Sequence, residues 1–162
     1  MSGNKETIEK ADFLNDVFYI LKETFEGSPE GQGSAYLDQR IGVFNTLDGL
    51  TAGQVSKEIH STSIVAHVEH TKFYLDRLVE FIEGRTEPVK WDQSWLIDEV
   101  DEEEWETLKA GMRNSYEGVL KCVSDVEEWN RDRIGEAIAI VAHTAYHLGA
   151  IRQMAKSLTI DH

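Results

Sequence analysis

The chain has 162 residues, 41% hydrophobic and 28% charged, with a formal net charge of −14 from 30 acidic against 16 basic side chains. That length suits one domain with a sizeable core and is short for two. The acidic surplus and the lack of a basic stripe argue against nucleic acid and against an anionic membrane surface as partners. They read instead as a well-solvated exterior.

One cysteine, Cys122, rules out an intrachain disulfide and fits a reducing compartment. It falls in the run Val119-Leu120-Lys121-Cys122-Val123, which reads as one helical face, so a packing thiol is expected rather than a nucleophile. The first six residues, Met1 to Glu6, carry no apolar core of signal-peptide type. With no run of about 18 apolar residues, no transmembrane helix is expected, and the expected location is the cytoplasm.

In chain order, apolar residues from Ile8 to Phe25 recur at steps of three and four and predict an amphipathic helix over residues 5–26. The stretch Gly27 to Gly33, with Pro29, stops it. Residues 35–49 resume a helical pattern that Gly42 and Gly49 weaken. Thr51-Ala-Gly-Gln54 reads as a capping box that opens a short turn ending near Ile59. A second strong helix follows Ser63, with Ile64, His67, Val68, His70, Thr71, Tyr74 and Leu75 on its inner face and Gly84 as its stop.

Thr86 to Val100 reads as a loop, yet it holds Trp91, Trp95 and Leu96, which a free linker would not need. Asp101 caps a third helix, and Glu102 to Glu104 sit at the positive end of its dipole, so this acid run is a helix start rather than a metal cluster. Asn130-Arg-Asp132 begins the last helix, over about Arg133 to Lys156. With no competing strand pattern, the expected fold is all-α: a single-domain four-helix bundle with an additional short helical segment.

The chemistry concentrates in histidines. Of six, His143 and His147 stand at i and i+4 on the last helix, and His67 and His70 at i and i+3 on the second strong helix. Each spacing puts both rings on one face. A single histidine on an apolar face is usually a core residue bonded to a carbonyl or hydroxyl. Two such pairs on inner faces carry a desolvation cost that a shared metal relieves. Imidazole suits zinc, nickel, copper and iron, and no thiolate accompanies it here. Three histidines with water in the remaining positions make an open, catalytic layout, whereas four protein ligands make a closed, structural one. Residue 144 is Thr, so the zinc-protease glutamate is missing. No Ser-His-Asp triad or phosphate-binding glycine loop is visible, and no catalytic residue is assigned. Trp91 and Trp95 read either as a lid or as core, Tyr146 as a packing residue off the histidine face, and Arg152 as a surface or interhelix ion pair.

Three segments carry a resemblance: Ser63-Ile-Val-Ala-His67-Val-Glu-His70 followed by Asp76; Trp91-Asp-Gln-Ser-Trp95; and Ala142-His-Thr-Ala-Tyr-His-Leu-Gly-Ala-Ile-Arg-Gln153. Together they resemble the DinB-like superfamily of helical-bundle metalloproteins, over residues 47–154. Lys90 stands where an acid is expected. The resemblance implies metal ligands at His70, His143 and His147, with His67 a supporting partner, an alternative ligand or simply packed. It implies a divalent metal, nickel or zinc. It also implies a small-molecule substrate, with low-molecular-weight thiols such as bacillithiol, mycothiol or glutathione as the model, and a homodimer. The expected function is therefore a divalent-metal-dependent thiol S-transferase or related hydrolase. The alternatives are a non-catalytic metal-binding or stress-response module and a plain interaction bundle with packed histidines.

Overall fold

The computed structural model describes residues 7–158. The start of the first expected helix, the six N-terminal residues and His162 lie outside them. The chain is all-helical, and the only strand-like feature among the described residues is an isolated bridge between Ile59 and Thr62. Four long helices, α1 (Lys10–Glu26), α4 (Ile64–Ile82), α5 (Glu102–Asp125) and α6 (Arg131–Leu158), are joined by two short ones, α2 (Val43–Asp48) and α3 (Ala52–Val55). A 3-10 turn, Trp91–Ser94, lies in the long loop before α5.

Local chemistry sets the helix ends. Ser63 caps α4 by accepting the N–H of Ala66 at 3.2 Å. Thr51 with Gln54 forms the complete capping box its spacing predicts, and Asp101, expected as a cap, forms a second complete box with Glu104. Asn130 Oδ1 accepts from the N–H of Arg133 and opens α6. At the end of α4, Gly84 takes φ +105°. Its N–H reaches the carbonyl of Phe81 while that of Arg85 reaches Glu80, a Schellman arrangement that favours glycine.

The helix expected over residues 35–49 shrinks to α2, for two reasons. Glu23, only 3% exposed, accepts the backbone N–H groups of Ala35, Tyr36 and Leu37 at 2.6–2.8 Å, which holds that segment non-helical. Gly42 lies against the end of α1: a Cβ there would stand 2.5 Å from the backbone N of Gly27. Gly42 thus marks a backbone crossing rather than a weak point inside a helix.

Helix α4 is the central element. It packs along α6 and α5 and touches α3 and the 3-10 turn, while α1 lies against α6 and α2 joins α1 to α5. The core is continuous, with Leu21 and Phe25 from α1, Ile64, Leu75 and Ile82 from α4, Trp105 and Met112 from α5, and Ile140 and Leu148 from α6. Trp105 is fully buried and donates its indole N–H to the carbonyl of Leu50 at 2.9 Å. Asp76 accepts from Lys72 at 2.8 Å and from Ser115 at 2.6 Å, bridging α4 to α5. Helix α6 is apolar on most of its circumference. It is the one helix among the described residues long and apolar enough to cross a membrane.

Burial opposes ionisation of Glu23, but its three backbone donors prevail and hold its pKa below the ordinary 4.5. A depressed carboxyl pKa adds stability above the unfolded-state value, and that stability disappears as pH falls through the folded-state value. Glu23→Ala is therefore expected to cost about 3 kcal/mol in urea unfolding at neutral pH. Its deficit against wild type should shrink as pH drops below about 4.5; a pH-independent deficit would contradict this role.

Candidate metal centre

The α4–α6 contact brings both histidine pairs together. His70, His143 and His147 each offer a ring nitrogen, and these nitrogens all lie within 4.8 Å of one another. The closest approach is His70 Nε2 to His143 Nε2, 3.0 Å. For metal–nitrogen bonds of about 2.0–2.1 Å, neighbouring ligand nitrogens stand about 2.9–3.4 Å apart. That pair already has a ligand's spacing. Bringing the widest separation into line takes no more than about 1.5 Å, within the reach of small ring rotations.

Hydrogen bonds define which ring nitrogens carry protons. Ser94, fully buried, donates its hydroxyl to the carbonyl of Trp91 at 2.6 Å. Its oxygen can then accept from His70 Nδ1, 2.7 Å away, so the proton of His70 sits on Nδ1 and the Nε2 lone pair is free. This is the orientation that a metal-ligating histidine needs. His67 does not join the trio. Its Nδ1 lies 2.9 Å from His147 Nδ1, so with His147 as donor, His67 leaves the His147 Nε2 lone pair free. His67 thus stands one hydrogen bond from the trio. His143 Nδ1 is buried with no hydrogen-bond partner.

Aromatic rings hold the imidazoles. Tyr74 stacks on His143 with centroids 3.5 Å apart and planes 10° apart. Trp95 stacks on His70 at 4.2 Å and 16°. Trp95 is 44% exposed, so it covers the cluster from the solvent side rather than filling the core. Trp91 packs against Tyr74, Phe73 and Phe81. Glu69 anchors the loop by accepting the N–H groups of Leu96 and Ile97, both at 2.9 Å.

Electrostatics favour neutral rings. Burial, followed by the neighbouring His70, pushes His143 down to about 4. Burial, followed by His143, His70 and His67, pushes His147 down to about 3. Burial lowers His67, and burial together with His67 lowers His70. All four rings therefore keep lone pairs at neutral pH.

The remaining expectations fall elsewhere. Tyr146 does not pack: it is 72% exposed, with its ring edge-on to His147 at 5.0 Å. Thr144 is fully buried, so no acid or base stands at the position of the protease glutamate. Cys122 is buried, and burial, aided by Glu83 and Asp125, pushes its thiol up to about 11, which suits a packing thiol. Asp76 serves the α4–α5 contact and not the histidines. Sequence reasoning missed Ser94, Glu69 and the stacking role of Tyr74. The only available signal for Ser94 was a small polar residue between two tryptophans. Compared with known proteins, the chain matches no family model, no curated protein and no solved structure.

Ser94→Ala and His67→Gln are each expected to weaken zinc or nickel binding by about 10–100-fold in calorimetric titrations, because each removes the group that orients a ligand ring. Unchanged affinity would remove both from that role. In the metal-free protein, His143 and His147 have pKa values below the ordinary 6.5. The unfolded chain then binds more protons between about 3 and 6.5, so stability is full above that window and is lost as pH falls through it. His143→Phe should flatten this loss in urea unfolding at pH 7 and pH 5; an equal slope in both proteins would contradict it.

Proposed function

We propose that this chain is a divalent-metal-binding protein of the DinB-like kind, a four-helix bundle in which His70, His143 and His147 hold nickel or zinc. One observation carries the reading: three neutral imidazoles from two helices meet within 4.8 Å, two of them at 3.0 Å with Nε2 facing Nε2. No carboxylate or thiol belongs to that group. Three protein ligands leave coordination positions for an exogenous molecule, which favours an open site over a closed one.

The activity we propose is transfer of a low-molecular-weight thiol. His70, His143 and His147 would hold the divalent metal, which would supply the Lewis acidity that draws a thiol toward its thiolate at neutral pH. The chain's own residues do the rest. Ser94 keeps the His70 proton on Nδ1. His67 takes the Nδ1 hydrogen bond of His147. Tyr74 and Trp95 fix two ring planes and limit the access of water.

A second reading is a non-catalytic site in which the metal staples α4 to α6. The observation favouring it is His67, a fourth imidazole one hydrogen bond from His147.

Elemental analysis after purification, with nickel or zinc added to the growth medium, tests the site. About one equivalent per chain is expected, with loss on His143→Ala or His70→Ala. Absence of metal from wild type, or retention in both variants, would remove the site. Metal-dependent conjugation of glutathione or bacillithiol to a chloroaromatic electrophile supports transfer; one equivalent of metal with no conjugation supports the staple.

A further inference from the structure

Beyond the histidines, a second feature combines chemistry with a cavity. A cleft of about 280 Å³ lies between α4 and the start of the tryptophan loop. Three of its lining residues are cations, Arg77, Arg85 and Lys90, and no carboxylate lines it. In a chain with a net charge of −14 this is an unusual local excess. Phe73, Pro88 and Val89 supply an apolar wall, and Gln93 adds a polar side chain.

The two guanidiniums are held in place. Glu80 pairs with Arg77 at 2.7 Å and also with Arg85, so one carboxylate serves both. Arg77 lies over the ring of Phe73, 5.2 Å from its centroid, and its Nε is buried with no hydrogen-bond partner. Arg85 is fixed by the Schellman turn, through its own N–H to Glu80 and its Nε to the carbonyl of Glu87. Lys90 is exposed and, among the described residues, its side chain has no ion pair or hydrogen bond, while its carbonyl accepts the N–H of Gln93. One carboxylate is thus shared by two of the three cations, and those two are pre-ordered. Pre-ordered guanidiniums are suited to planar or tetrahedral oxyanions.

We propose that this cleft binds the anionic group, a carboxylate or a phosphate, of a small ligand whose apolar part rests on Phe73, Pro88 and Val89. The volume lies just below the range of complete small-molecule pockets, so it fits a charged end group better than a whole ligand. The cleft also shares a loop with the metal centre: Lys90 precedes Trp91, and Gln93 precedes Ser94, the partner of His70.

The test is calorimetric titration of the metal-free protein at low ionic strength, with inorganic phosphate in one arm and succinate in the other. One-site binding of at least one probe at millimolar concentration is expected, and the tighter arm identifies the anion class. Arg85→Gln should weaken binding about tenfold or more, and Lys90→Gln severalfold. Arg113→Gln, which alters an exposed arginine paired with Asp48, should change nothing. Lys90 is exposed and unpaired, so its substitution leaves the fold intact and keeps the test decisive. Absence of binding in both arms, or equal weakening by all three substitutions, overturns the proposal. Because no metal is present, that failure would leave the histidine site untouched.

Discussion

The structure depends on the contact between α4 and α6. That contact places four imidazoles in a largely apolar interface, where protonation is strongly opposed. Neutral imidazole still needs a partner for each ring nitrogen. Ser94 satisfies one, His67 and His147 satisfy one another, and His70 meets His143. Those bonds leave the Nε2 atoms of His67 and His147 without a protein partner, and His143 Nδ1 is buried without one. The ring nitrogens that a metal would use, on His70, His143 and His147, belong to one small group.

The tryptophan loop follows from the same constraint. Its backbone has no long helix to bond within, so two of its N–H groups go to Glu69 on α4, and the hydroxyl of Ser56 donates to the carbonyl and accepts the N–H of Val100. These anchors bring Ser94 to His70 and lay Trp95 across that ring. Glu69 lies next to His70 in sequence, so one helical turn both presents a ring and tethers the segment that orients it. On the far side of the loop, Arg77, Arg85 and Lys90 gather around a separate cleft.

Much of this was legible in the sequence, and the exceptions have physical causes. Steps of three and four located the long helices, the capping box at Thr51 located the start of the short α3, and the cap at Asp101 located the start of α5. The histidine faces followed from the spacings of four and three, and the structure brings those faces together. The resemblance implies His70 as a ligand, and ring nitrogens of His70, His143 and His147 lie within 4.8 Å of one another. What the sequence could not convey was long-range. The pattern over residues 35–49 looked helical because Glu23's capture of three N–H groups and the Gly27–Gly42 crossing depend on chain segments that meet only after folding. Tyr146 reads as a packing residue from its apolar neighbours, but its exposure depends on which side of α6 meets α4. Ser94 gains its meaning from a hydrogen bond across 24 residues of sequence separation.

We propose that His70, His143 and His147 together hold one divalent metal through an open coordination shell. X-ray absorption spectroscopy of the zinc- or nickel-loaded protein reads that shell. About three imidazole nitrogens at roughly 2.0–2.1 Å and at least one further light-atom ligand from solvent are expected, with the imidazole signal reduced in His70→Ala. A shell with four imidazoles would contradict the open site, and a shell with no imidazole scattering would contradict the site altogether.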